Sequence, residues 1–214
     1  MKKSALEITL NNFINWIDSY IEISDKIISD VSLFKEKEEK IELIESLVLK
    51  ITSQWEVLVE ELMIDCLNRD STQYSVYLDS NLPKHIPRAL CTAMIQGLGY
   101  VDFKGVSDIK RKAKQILVDE FNPFKEIRKI DGDKIDELYK FRNYIAHLST
   151  QSGRTIENIY FNKYHMKRFQ EPGSFLMAMD KKTKKSRLDA YVESLHSAVY
   201  SMGSYLGLKR EDDL

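Results

Sequence analysis

One apolar seam constrains this chain more than any other feature. Ile41, Ile44, Val48, Ile51, Trp55, Leu58, Leu62 and Cys66 follow one another at steps of 3, 4, 3, 4, 3, 4 and 4. That is one face of an α-helix, sustained over about seven turns. Val59 and Met63 widen the stripe beside Trp55. A helix this long and this apolar on one side must bury itself against several partners or against a second copy. The stretch from 36 to 61 also carries eight Glu, so its other face is acidic and solvated.

The remainder suits a helical bundle around that element. Four Pro and eight Gly in 214 residues are too few for the frequent turns of a β-sandwich. With 43% apolar and 30% charged residues, the chain can build a core and stay soluble. Residues 5–32 form a helical pattern with Leu6, Leu10, Phe13, Ile17, Ile21 and Ile28 near one face. Pro87 opens a short helix through Ile95, which Gly97 and Gly99 end. Ser107 reads as the N-cap of a basic helix through Val118, with Asp108 in its first turn. Asn122-Pro123 is a loop signal. Asp131-Gly132-Asp133 reads as a turn into a helix over 133–148, with Ile135, Leu138, Phe141 and Ile145 inward. Another helix is predicted over 154–170, broken at Glu171-Pro172-Gly173, and a last one over 186–206. The polar tail Arg210-Glu211-Asp212-Asp213-Leu214 lies beyond it. The expectation is an all-α bundle of about five main helices in a single domain over 1–214, with 71–125 an insertion of short helices and loops.

Bulk charge excludes little. The net charge of −1 gives no global pull toward nucleic acid. Two runs are locally basic, KRKAK at 110–114 and KKTKKSR at 181–187. Such runs are solvated faces or phosphate-contacting surfaces. Cys66 and Cys91 have no metal-binding or disulfide spacing. Cys66 lies on the apolar seam and reads as a buried reduced thiol. No HExxH, GxxxxGK[ST], GxGxxG or GxSxG occurs, so metal, phosphate-loop, dinucleotide and hydrolase-elbow readings have no support, and no cofactor is expected. His85, His165 and His196 are scattered, and His196 reads as a core-edge residue. No signal peptide and no membrane span is visible, which points to a cytoplasmic protein.

The chemistry gathers in YKFRNYIAHLST, residues 139–150. Each helical residue turns about 100°. Asp136, Lys140, Asn143 and His147 therefore form one polar line at spacings of 4, 3 and 4. Arg142 stands five residues before His147, about 140° around the axis. The two side chains can share a groove edge if the helix end bends, or if two copies face each other across a two-fold axis. Arg142 also flanks the buried stripe, so it needs a partner or an anionic ligand. A purely structural reading pairs Arg142 with the acidic long helix and leaves His147 as a helix C-terminal cation.

The run Arg142-Asn143-Tyr144-Ile145-Ala146-His147 resembles the R-x4-6-H motif of the HEPN superfamily. Its setting, a late helix in an all-α bundle preceded by a long helix containing QWEVLVEEL, is similar to HEPN proteins of the toxin and RiboL-PSP kinds. Specific residues match at 142–147, while the rest of the likeness is one of layout. The resemblance implies a metal-independent endoribonuclease, used as a toxin or in phage defence, that acts as a homodimer with the motif helices lining one cleft. Arg142 would hold the scissile phosphate, His147 would transfer protons, and Asn143 would orient the imidazole or bond the phosphate. RNA would supply its own 2′-OH, giving 2′,3′-cyclic phosphate and 5′-hydroxyl ends. HEPN toxins paired with a nucleotidyltransferase antitoxin carry a modified Tyr two residues after the His. Ser149 stands there, so tyrosine modification at that position is not expected.

Tyr139 and Tyr144 flank the motif and could stack on bases. Lys181, Lys182, Lys184, Lys185 and Arg187 form a candidate RNA track. The alternative is a non-catalytic dimerisation or RNA- or protein-binding module, whose partner would be an antitoxin or a defence component.

Overall fold

The seam becomes the axis of the molecule. The computed structural model describes residues 5–29, 36–97, 103–181 and 183–208, and in it α2 spans Lys37–Arg69. At 1.5 Å per residue this helix is about 50 Å long. Every residue of the seam is buried, and from Leu62 to Leu67 no residue escapes burial. The C-terminal part of α2 is thus enclosed on all sides. α1 (Ala5–Ser29) packs along it and buries Leu6, Leu10, Phe13 and Ile17. Phe13 meets Trp55 edge-on, with ring centroids 6.0 Å apart. Near the end of α1 the buried positions are Ser24 and Ile27, while Ile21 and Ile28 are only partly covered. Residues 30–32 of the predicted helix lie outside the described residues, as do Gly99 and the C-terminal tail.

Among the described residues the fold is all-α, with nine helices and no strand. The stretch from 71 to 125 contains α3 (Thr72–Tyr77), α4 (Arg88–Gly97), α5 (Val106–Ile116) and two 3-10 turns, Asp119–Phe121 and Pro123–Glu126. It adds Cys91, Ile95, Phe103, Ile109 and Ala113 to the same core that holds Leu6 and Met202. Both cysteines are free, and burial pushes the Cys66 thiol up to about 12.

The start of α5 differs from expectation. Its N-cap is Gly105, not Ser107. The Val106 N–H donates to the Asp136 carboxylate of another helix at 2.5 Å. A cap supplied from a distant element makes the local Ser unnecessary. Gly105 has φ +146°, and a Cβ there would fall 2.5 Å from that same carboxylate oxygen. The helix also ends at Ile116, short of Val118.

α6 covers Lys129–His147, so Asp131-Gly132-Asp133 is helix rather than turn. Gly132 is used there for close packing: a Cβ would lie 3.3 Å from Val106 Cγ1. Asp131 is buried and satisfied by Arg128 at 2.8 Å and by the Ser197 hydroxyl at 2.9 Å.

The predicted helix over 154–170 is not formed as one piece. α7 (Thr150–Asn158) passes into a π-turn, Ile159–Lys163. His165, at φ +51°, then turns the chain away. Glu171-Pro172-Gly173, expected as a break, opens the short α8 (Pro172–Leu176), where Pro172 needs no N–H. Gly173 sits against α2 and donates its N–H to Glu45 at 3.0 Å. α9 (Arg187–Tyr205) starts with a capping box between Ser186 and Asp189 and packs on α1 and α6.

Candidate functional site

The motif occupies the last turns of α6. The inward face of that helix is anchored by Phe141, whose ring lies 5.4 Å from Phe175 and 6.1 Å from Tyr160, centroid to centroid. One residue on, Arg142 is half-buried, and Asn143 and His147 are exposed. The helix ends directly after His147, because Leu148 adopts the left-handed conformation at φ +46°. Ser149 then caps α7 by accepting from the Ser152 N–H at 3.2 Å. This tight corner folds the start of α7 back beside the motif.

The result is a cleft of about 470 Å³ that Arg142, Asn143 and His147 all line. The sharp corner makes a shared cleft possible for side chains five residues apart on one helix. The start of α7 contributes Ser149, Gln151, Ser152 and Thr155, and its first N–H groups present a partial positive charge to this side. Lys140 enters from α6, Lys104 from the segment before α5, and Glu56 from α2. Lys104, Lys140 and Glu56 are additions that the sequence did not reveal as site residues. The 3, 4 spacing from Lys140 to Asn143 and His147 was visible, but which groups faced them was not.

Arg142 donates from Nη1 to Asn143 Oδ1 at 3.0 Å. Among the described residues it forms no ion pair, so it is not tied to the acidic face of α2. Asn143 is therefore engaged with the guanidinium and not with the imidazole. Asp136, at the other end of the polar line, is occupied in capping α5. Burial raises its carboxyl above the usual range, while the Val106 N–H pulls the other way.

The remaining candidates disperse. Tyr139 lines the cleft but is buried at 4% exposure. Tyr144 is half-buried and contacts Phe169 edge-on at 5.8 Å, outside the cleft lining. Lys181 is exposed, and Lys182 lies outside the described residues. Lys184 and Lys185 line a different pocket of about 650 Å³, which they share with Asp18, Asp25, Asp189 and Glu193. Lys185 forms an ion pair with Glu193. Arg187 lies 4.2 Å over the Phe175 ring and donates to the Phe175 carbonyl at 3.2 Å. In that second pocket burial lowers the pKa of His196, and its Nε2 lies 3.1 Å from Asp18 Oδ1 but off the hydrogen-bonding line.

The basic run of α5 is also committed locally. Lys110 donates to the Ile127 carbonyl at 2.6 Å, and Arg111 and Lys112 pair with Asp108. Among the described residues no three His, Cys, Asp or Glu side chains come together as metal ligands. None of the described helices is long and apolar enough to cross a membrane. No family model, no curated protein and no solved structure matches the chain.

Proposed function

We propose that this protein is a metal-independent endoribonuclease of the HEPN type, used as a toxin or in phage defence. The observation that supports this reading is the shared cleft that Arg142, Asn143 and His147 all line, where the arginine forms no ion pair among the described residues. A half-buried guanidinium without a carboxylate is suited to an anionic ligand. The hydrogen bond to Asn143 fixes its fork, so two N–H groups can be offered to the nonbridging oxygens of a phosphodiester. The same contact grows stronger as charge accumulates on the pentavalent phosphorus.

In the reaction the ribose 2′-oxygen forms a bond to phosphorus and the bond from phosphorus to the 5′-oxygen breaks. The 2′-OH proton passes to a base, and the departing 5′-oxygen receives one from an acid. Imidazole can serve either role near neutral pH. A homodimer joined at the motif helix would bring in a second His147, allowing one to accept and the other to donate.

The test is cleavage of total cellular RNA by purified protein in EDTA, beside His147→Ala. Expected are cyclic-phosphate ends from the wild type and none from the variant. Equal cutting by both, or cutting abolished by EDTA, rejects the reading. A protein that dimerises and binds without cutting is instead an interaction module, whose partner would be an antitoxin or a defence component.

A further inference from the structure

Among the described residues three cationic side chains line the motif cleft, Lys104, Lys140 and Arg142, against one carboxylate, Glu56. Lys104 and Lys140 are exposed, and neither ammonium forms an ion pair among the described residues. In a chain whose net charge is −1, this is a local excess of positive charge among the described residues, offset in part by Glu56 and by Asp136 one turn before Lys140. Two lysines of the other basic run stand in the opposite situation. Lys184 and Lys185 line a pocket that holds four carboxylates, and Lys185 is already paired with one of them.

Among the described residues the aromatic side chains that line the cleft, Phe103 and Tyr139, are 1% and 4% exposed, so neither presents a ring face for stacking. The ammonium and guanidinium groups are suited to phosphate. Lys140 and His147 lie on one side of α6 about 10 Å apart along its axis, while Lys104 comes from the neighbouring element.

We propose that the cleft takes single-stranded RNA by its phosphodiester backbone. Lys104 and Lys140 neutralise phosphates flanking the one at Arg142 and His147, and Lys184 and Lys185 take no part. This rests on the ribonuclease reading for the identity of the strand. It implies affinity that falls steeply with salt.

The experiment uses the full chain and a short 2′-O-methyl oligoribonucleotide, which lacks the attacking hydroxyl and is bound without being cut. Affinity is followed by fluorescence anisotropy as salt rises. Each phosphate contact on a single strand contributes a slope of about 0.7 in log affinity against log salt. Lys104→Ala with Lys140→Ala is expected to flatten the slope by about 1.4 and to weaken binding in low salt. Lys184→Ala with Lys185→Ala should leave slope and affinity unchanged. An unchanged slope in the first pair, a flattened slope in the second, or no binding by the wild type overturns the proposal. Circular dichroism melting checks folding, and Lys104→Gln with Lys140→Gln replaces the alanines if they lower the melting temperature. Cleavage of the unmodified strand is scored separately. A flattened slope without any cleavage keeps the backbone track and removes the ribonuclease reading.

Discussion

In the first half of α6 the acidic residues that are covered, Asp131, Asp136 and Glu137, are answered by partners outside the helix, whereas the last turns leave their polar residues to each other and to solvent. Asp131 is held by Arg128 and Ser197, and Asp136 caps α5. Glu137, only 3% exposed, receives the Tyr191 hydroxyl at 2.7 Å and pairs with Lys163. At the other end Arg142 has one hydrogen bond, to the neighbouring Asn143, and His147 is exposed. Buried polar groups must be satisfied for the fold to exist. Groups that the fold does not require can serve a ligand. One helix thus separates residues that build the protein from residues that can act.

Four substitutions test that separation. His147→Ala should lower cleavage by about two to four powers of ten, the range for loss of general acid-base catalysis. Its unfolding midpoint should stay within error of wild type in urea titration, and a large stability loss would break the division. Glu137→Ala should do the reverse. Removing the buried carboxylate leaves the Tyr191 hydroxyl only its contact with Tyr164 and takes the ion-pair partner from the half-exposed Lys163, at a cost of about 1–2 kcal/mol in unfolding free energy. Gly105→Ala should cost about 2 kcal/mol, because it combines an unfavourable φ with displacement of the Asp136 cap. Thermal unfolding monitored by circular dichroism would report it.

The smallest effect is the most specific. Burial raises the folded-state pKa of Asp136 above its unfolded value. The contribution to stability is then fully present below the unfolded value and is lost as pH rises through the folded one. Asp136→Asn keeps an amide oxygen for the Val106 N–H and removes that titration. Wild type should therefore gain on Asp136→Asn as pH is lowered from neutral to below about 4. A constant difference across that range would mean the carboxyl is not desolvated.

The parts of the fold that could be read in advance are those governed by local periodicity. The α2 seam and the inward residues Ile135, Leu138 and Phe141 on α6 depend only on spacing and burial. The N-terminus of α5 could not be read, because its cap is a side chain from residue 136. Gly132 looked like a turn because its purpose, contact with Val106, belongs to packing between helices. The π-turn at 159–163 is a register shift inside a sequence with ordinary helical pattern. The site divides in the same way. Arg142, Asn143 and His147 were visible together on one helix. Lys104 and Glu56 were not, since only the tertiary fold brings them beside α6.

α2 has one more consequence. It touches α1, α4, α5, α6 and α8, which come from both ends and the middle of the chain. Cutting the polypeptide anywhere between these elements would strip apolar surface from the same rod. No shorter fragment should fold alone, and α2 amides should exchange with deuterium only through whole-molecule opening. Assembly therefore has to wait for contacts distant in sequence, so this protein should close its structure late, after most of the chain is in hand.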